Sequence, residues 1–172
     1  FQNIRLFKNL TVLDNLRIAY HKNRRYSLLC GLFRSPAFQR EEAQITGKAR
    51  EALELAGLAD KAHQLAGNLP YGEQRRVEIA RALMLSPKLL LLDEPAAGMN
   101  PQETQDLLEL IRELRDSLKI TILLIEHDMK LVMNLCEKLF VLDHGHLIAT
   151  GDPKSIQTDR RVVEAYLGGS LN

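Results

Sequence analysis

Two adjacent carboxylates, Asp93 and Glu94, follow a continuous apolar run at residues 89–92. A buried strand that ends in an acidic side chain can hold Mg²⁺ beside a bound phosphate, and a second carboxylate can position and deprotonate an attacking water. The same residues also fit a polar turn after a strand. This pattern alone therefore leaves both a hydrolytic site and an ordinary turn open.

Two further features upstream and downstream of that strand suit phosphate chemistry. Residues 69–76 read LPYGEQRR, and Gly72 lets backbone approach a ligand because it has no Cβ. The helix behind this loop directs its free N–H groups and its positive end at whatever lies there. His127, after a second apolar run, could contact a terminal phosphate. The alternatives are an ordinary glycine loop and a surface histidine.

The elements that must position these residues begin with a helical front. Helical spacing predicts a helix capped by Thr11 and another over residues 41–57, which Gly57 ends. Between them, the basic segment 21–40 is predicted to be an exposed insertion or short helix, broken by Pro36. Its charge could face anionic lipid or a partner, and a solvated loop is the alternative.

From residue 73 onward, the pattern alternates between helices and apolar strands. Helices are predicted over residues 73–85, 102–118, 129–136, 154–157 and 161–167, and strands over 89–92, 120–125, 138–143 and 146–149. Strands joined by helices predict an α/β fold with a parallel sheet. The uninterrupted apolar run at 89–92 predicts a strand that is buried on both faces.

Length and charge limit the possible functions. The chain has 172 residues, which suits one domain or one domain with a small subdomain. Its formal net charge of +1 argues against a general nucleic-acid binder, which usually carries a strong basic excess. The chain opens on Phe1 with neither an initiating Met nor a signal peptide, so it is expected to be part of something longer.

Together, these motifs resemble the ATP-binding cassette (ABC) ATPases over nearly the whole chain. LPYGEQRR stands where that family has its signature loop, LLLLDEP resembles its Walker B motif, AAGMNP its D-loop and IEHD its switch-histidine segment. Gln2 matches the Q-loop glutamine. The segments YGEQRRVEIARAL and GDPKSIQTDRRVVEAYLGG are similar to the ATPase subunits of branched-chain amino-acid importers. The lipopolysaccharide-export ATPase is the second choice within the family.

The resemblance implies a role for each polar residue of the strand ends. Asp93 would bind Mg²⁺ through water, Glu94 would be the general base, and His127 would contact the γ-phosphate of ATP. Gln2 would reach toward the metal and the attacking water while it reports on the membrane subunit.

The resemblance also implies a dimer of two ATPase subunits. The loop that would close on ATP held by the second subunit consists of Pro70, Tyr71, Gly72 and Glu73. Met99 and Asn100 would cross the dimer interface. ATP binding would close the dimer and hydrolysis would reopen it, and this cycle would drive the permease.

The implied fold is a partial P-loop NTPase fold, a parallel sheet with helices plus a helical subdomain, without the N-terminal strands and the P-loop. Residues 1–80 would form the Q-loop and helical subdomain, 81–150 the RecA-like core remnant and 151–172 a helical extension. The helical subdomain would bind membrane permease subunits at the cytoplasmic face of the inner membrane, where the protein would be peripheral. A non-catalytic interaction module or pseudo-ATPase is the competing hypothesis.

The largest departure from the family pattern is the phosphate-binding loop, since no GxxxxGK(S/T) motif occurs in the sequence. The pair Gly47-Lys48 is followed by Ala49, has Glu42 where the earlier glycine should stand, and lies in a predicted helix. We therefore interpret this pair as a chance match and expect the chain to be truncated before the Q-loop.

Four substitutions within the motifs are smaller departures. Pro70 replaces the usual Ser and removes a hydroxyl that could reach phosphate, while Tyr71 and Glu73 replace the commoner Gly and Gln. Asn100 stands at the usual Asp of the D-loop. We interpret all four as features of the branched-chain subgroup.

We expect the 172-residue chain by itself neither to bind ATP tightly nor to hydrolyse it. The missing loop would supply several charge-assisted hydrogen bonds to phosphate, each worth about 1.5–3 kcal/mol. Phosphate release by the purified chain is the measurement. An ATPase rate in this chain that Glu94→Gln abolishes would contradict the expectation.

Overall fold

The computed structural model describes residues 5–20 and 35–167, which form two compact units, Phe1–Leu124 and Ile125–Asn172. Gln2 and most of the predicted insertion at 21–40 lie outside the described residues. Among those that are described, no helix has both the length and the apolar character needed to cross a membrane.

Among the residues described in the first part of the first unit are three helices and two short 3₁₀ turns. The helices are α1 (Val12–Ala19), α2 (Pro36–Leu55) and α3 (Tyr71–Leu83), and the 3₁₀ turns are Ala59–Lys61 and Ala66–Asn68. Each helix packs against the other two. Their apolar faces share one core whose fully buried members include Leu16, Ile45, Leu53, Leu58 and Val77.

The helix α1 begins where the sequence predicts, with the hydroxyl of Thr11 accepting a hydrogen bond from the Asp14 N–H at 3.0 Å. Asn15 on this helix is fully buried, although it is polar. Its side chain accepts from the Phe7 N–H at 2.9 Å and donates to the carbonyls of Phe7 (3.1 Å) and Thr11 (2.9 Å). Asn15 therefore holds the segment before α1 against the helix.

The helix α2 begins at Pro36 and not at residue 41, so the predicted irregular segment was too long. Proline is favourable in the first turn of a helix, where its N–H would have no partner, and the hydroxyl of Ser35 caps the start by accepting from the Phe38 N–H. The helix ends at Leu55, and Gly57 follows with φ +64°, as predicted. Gly47 lies inside this helix, which confirms that the Gly47-Lys48 pair forms no phosphate loop.

The strands β1 (Leu89–Asp93) and β2 (Thr121–Ile125) are neighbours in a two-stranded parallel sheet, and α4 (Pro101–Leu118) connects them. The prediction that the run at 89–92 is buried on both faces was wrong. Leu90 and Leu92 are buried, but Leu89 and Leu91 are 51% and 56% exposed. Alternate residues of a strand point to opposite faces, so one face of β1 packs and the other is open.

The second unit contains α5 (Met129–Leu135), β3 (Leu139–Asp143), β4 (His146–Gly151), α6 (Pro153–Thr158) and α7 (Arg160–Leu167). The two strands pair antiparallel through a turn at Gly145, whose φ is +79°, so the predicted pair of strands joined there is confirmed. Asp152 caps α6, and the hydrogen bond from the Ser155 N–H lowers the pKa of the Asp152 carboxyl.

Substitution of Asn15 by Ala is expected to lower the free energy of unfolding by about 1–3 kcal/mol, because the Phe7 N–H loses its side-chain acceptor and the carbonyls of Phe7 and Thr11 each lose one donor. Urea unfolding followed by circular dichroism measures the change. The control is Gln105→Ala on the exposed face of α4, where a change within about 0.5 kcal/mol is expected. Equal effects of the two substitutions would contradict the structural role assigned to Asn15.

Candidate functional site

The two carboxylates predicted to act on phosphate lie at the carboxyl end of β1. Asp93 is its last residue, Glu94 follows directly, and both side chains are half-buried. Glu94 has φ +43°, a left-handed conformation that is costly for a residue with a Cβ. Such strain persists where the surrounding structure requires it, and it clusters at functional sites. The chain thus turns sharply at the residue predicted to be the general base.

Two successive turns lead from Glu94 to the start of α4. The Ala97 N–H donates to the Glu94 carbonyl and the Met99 N–H to the Ala96 carbonyl, both at 3.1 Å. Asn100 then caps α4, since its side chain accepts from the Glu103 N–H at 2.9 Å. Asn100 is exposed, and its side-chain oxygen is committed to this cap.

The glycine loop, residues 70–73, forms the start of α3, which begins at Tyr71, two residues before its predicted start. Pro70 is the N-cap residue and offers the first turn no side-chain hydrogen bond. Gly72, in that first turn, is buried. The N-cap residue of α3 therefore provides no capping side chain, although the N–H groups of this first turn suit an anion.

The carboxylate of Glu103 joins the glycine loop to the start of α4. It accepts from the Gly72 N–H at 3.3 Å through Oε1 and from the Asn100 N–H at 3.0 Å through Oε2. A Cβ on Gly72 would lie 2.9 Å from the Cγ, Cδ and Oε1 atoms of Glu103, closer than real Cβ contacts. A side chain at position 72 would therefore have to displace the end of the Glu103 side chain.

The loop residue Glu73 is held by a different partner. Its carboxylate forms an ion pair with Lys61 on the first 3₁₀ turn, and its side chain is only 16% exposed. The Gln74 side chain donates to the Leu69 carbonyl at 2.8 Å. These contacts fasten the loop to the segment before it, and Glu73 is directed into the helical part rather than outward.

A polar chain runs along α3 from the glycine loop to the segment before α1. The guanidinium of Arg75, which is 5% exposed, donates to the Tyr71 hydroxyl at 3.2 Å and to the Glu78 carboxylate at 3.1 Å. Glu78 also accepts from the Arg5 N–H at 2.6 Å, and Arg81 donates to the Arg5 carbonyl. The residues next to the predicted Q-loop are thus tied to α3.

An open groove of about 640 Å³ borders Asp93 within the first unit. Its lining is mainly apolar and includes Phe7, Leu85, Leu89 and Leu91, which are each about half exposed. The lining also includes Arg5, Arg75 and Arg81, of which Arg75 donates to the Glu78 carboxylate and Arg81 to the Arg5 carbonyl. The carboxylates at the end of β1 stay the residues predicted to act on phosphate.

His127 belongs to the second unit, directly before α5. Its side chain is 76% exposed, and its Nδ1 lies 4.0 Å from a carboxylate oxygen of Glu126. The neighbouring Asp128 caps α5 by accepting from the N–H groups of Lys130 and Leu131. The exposed imidazole is open to a ligand from solvent, and its predicted contact with phosphate stays a prediction.

The carboxylate of Asp93 is a suitable ligand for an Mg²⁺ ion that also binds phosphate. Among the residues that the structure describes, no three His, Cys, Asp or Glu side chains form a metal cage. Mg²⁺ commonly takes one or two carboxylates and completes its shell with water and substrate phosphate. The carboxylate of Asp93 suits that arrangement, whereas Gln2, the other predicted metal contact, lies outside the described residues.

Two residues of this site were not predicted from the sequence. Glu103 carried a detectable signal, because Asn100 followed three residues later by Glu103 is a capping-box pattern. Its contact with Gly72 spans 31 residues and has no local signal. Glu78 likewise gives no pattern, since its partner Arg5 is 73 residues away.

Comparisons with known proteins show which family the chain is similar to. A family profile described as ABC transporter matches residues 1–97, and one described as Branched-chain amino acid ATP-binding cassette transporter matches residues 146–171. The High-affinity branched-chain amino acid transport ATP-binding proteins LivG of Salmonella typhimurium and BraF of Pseudomonas aeruginosa are each 48% identical over 168 residues, 98% of this chain and 66% of either relative. A solved nucleotide-free ATP-binding cassette from an ABC transporter has 36% identity and a TM-score of 0.75, over 98% of this chain and 67% of that one.

The similarity thus extends over nearly the whole chain, which itself spans about two thirds of the length of the curated relatives, 66%. The fold class predicted from the sequence, a partial P-loop NTPase fold with helices and a parallel sheet, is confirmed. The predicted resemblance to branched-chain amino-acid importer ATPases is confirmed as well.

Substitution of Gly72 by Ala is expected to lower the free energy of unfolding by about 0.5–1.5 kcal/mol, because the new Cβ displaces the Glu103 carboxylate from the Gly72 N–H. The control is Gly47→Ala, where the Cβ meets open space inside α2 and should stabilise by about 0.5–1 kcal/mol. Thermal or urea unfolding measures both changes.

A double-mutant cycle tests the cause of the loss. On a Glu103→Ala background the contact is already gone, so Gly72→Ala should cost less than it does in the parent protein. Additive costs would show that Gly72 is required for a reason other than Glu103.

Proposed function

Because this chain belongs to the family of ABC transporter ATPases, we propose that it supplies the ATP-hydrolysing machinery of a branched-chain amino-acid importer. The observation that carries the proposal is the end of β1, where Asp93 completes the strand and Glu94 turns the backbone with φ +43°. That arrangement leaves two carboxylates at the end of the strand, where each would have a separate role. The identity with LivG and BraF supports branched-chain amino acids as the cargo.

In the proposed reaction, the strand-end residues divide the work. Asp93 would hold Mg²⁺, which supplies positive charge beside the phosphates. Glu94 would orient the attacking water and take its proton, and the imidazole of His127 would donate to the γ-phosphate of ATP. The 76% exposure of the His127 side chain suits a residue that meets its ligand on closure. Gln2 would contact the metal and the water.

The glycine loop would serve a second nucleotide, held by a second ATPase subunit. Pro70 offers no side-chain cap, and Gly72 carries no Cβ, so phosphate could approach the N–H groups of the first turn once the Glu103 carboxylate moves. Met99 and Asn100 follow β1 in the turn that would cross the dimer interface. Each chain would thus contribute to two sites, and ATP would close the dimer.

The helical subdomain, residues 1–80, would bind the permease at the cytoplasmic face of the inner membrane, with residues 81–150 as the RecA-like core and 151–172 as an extension. The polar chain from Arg5 to Tyr71 supports this division of labour, since it links the segment next to Gln2 with the glycine loop. Movement of the permease could thereby reach the loop that faces ATP.

The proposal is tested by Glu94→Gln in the protein encoded by the complete gene, reconstituted with its permease. Removal of the general base should reduce ATP turnover by about 10²- to 10⁴-fold while ATP binding persists. Phosphate release and equilibrium binding of a fluorescent ATP analogue are the two measurements.

The matched control is Glu109→Gln, the same change at an exposed position of α4, which should leave turnover within about twofold of the parent. Permease binding without any ATP turnover in the parent protein would favour the competing role of a non-catalytic interaction module.

A further inference from the structure

We propose that Glu103 is a positioning residue that occupies, within its own subunit, the N–H group that the terminal phosphate of ATP would engage. The carboxylate would hold the glycine loop in the nucleotide-free state and yield the Gly72 N–H when the dimer closes. The inference rests on the proposed function, because it assumes that the glycine loop meets ATP held by a second subunit.

The geometry shows an occupied helix terminus. Oε1 of Glu103 accepts from the Gly72 N–H at 3.3 Å, while Oε2 accepts from the Asn100 N–H at 3.0 Å. The 2.9 Å approach of three Glu103 atoms to the Cβ position of Gly72 leaves no space for a ligand against that Cα. An anion that approaches the first turn of α3 must therefore displace this carboxylate.

The Glu103 carboxylate and the phosphate of ATP would compete for the Gly72 N–H. Carboxylate and phosphate are both anions, and both are stabilised by the same N–H group at the positive end of α3. They cannot share that group, because like charges at such a distance repel. The bond to the Gly72 N–H, at 3.3 Å, is the longer of the two, so it is the one expected to yield.

The contact with the Asn100 N–H would hold the Glu103 carboxylate after it leaves Gly72. After release of Gly72, Glu103 still caps α4 through Asn100, which also accepts from the Glu103 N–H. The displacement therefore needs only a side-chain rotation and leaves α4 intact. It would also free the glycine loop from the turn at residues 94–100. The binding of ATP and the loosening of that turn would therefore occur together.

Glu103→Gln is the diagnostic change because it keeps the size of the side chain and removes its charge. The single amide oxygen of Gln can accept from only one of the two N–H donors, and its NH₂ cannot compete with phosphate. The expected result is a threefold to tenfold lower ATP concentration at half-maximal dimerisation, on the order of one competing hydrogen bond in a half-exposed site.

The measurement uses the protein encoded by the complete gene with Glu94→Gln, which blocks turnover. Sedimentation velocity across an ATP titration gives the concentration for half-maximal dimerisation, with and without Glu103→Gln. Glu113→Gln, an exposed glutamate of the same helix, is the matched control and should leave the midpoint unchanged. In the parent background, Glu103→Gln should lower the KM for ATP by a similar factor.

A second variant covers the case in which Glu103→Gln fails to fold. Glu103→Asp keeps the charge but shortens the side chain by one methylene, so the carboxylate withdraws from the Gly72 N–H and the midpoint should also fall. An unchanged or higher midpoint in either folded variant overturns the inference, and so does failure of both variants to fold, since Glu103 is then purely structural. If the Glu94→Gln protein binds ATP but never dimerises, the trans contact of the proposed function fails, and the inference fails with it.

Discussion

One carboxylate holds together the two segments on which the candidate site depends. Glu103 contacts the start of α3 and the start of α4, which lie 31 residues apart along the chain. The contact explains why position 72 has no side chain, since three Glu103 atoms fill that space. It also brings the Tyr71 ring within van der Waals reach of the Cβ position of Gly98, so the glycine loop rests against the turn that follows β1. Two motifs that are separate in sequence thereby become one surface.

The helix α3 connects the glycine loop to the segment before α1. Its first turn meets Glu103, its middle carries the buried Arg75, and Glu78 and Arg81 hold the backbone of Arg5. A buried guanidinium is costly unless it is paired, so the Tyr71 and Glu78 contacts fix its position. The helix is therefore a rigid link between the residues that follow the predicted Q-loop and those that would meet phosphate.

The local parts of this structure were predictable, and the long-range parts were not. Thr11, Gly57 and Gly145 act through their own backbone neighbours, so their positions indicated where elements start and end. Pro36 was misinterpreted because proline breaks a helix interior but favours a first turn. The open face of β1 depends on which elements cover it, which no run of leucines reveals. The position of Asp93 and Glu94 at the end of β1 was predictable because the apolar run directly before them marks the strand.

The tie between Arg5 and α3 has a consequence for how the chain is made. Its two hydrogen bonds close loops of 73 and 76 residues. At about 5–20 residues per second, the ribosome needs roughly 4–15 s to deliver Glu78 and Arg81 after Arg5 has been added. The segment before α1 therefore waits for α3 to be synthesised before it finds its place. During that interval its backbone groups are available to water and chaperones, so the ordering of this segment follows the synthesis of α3.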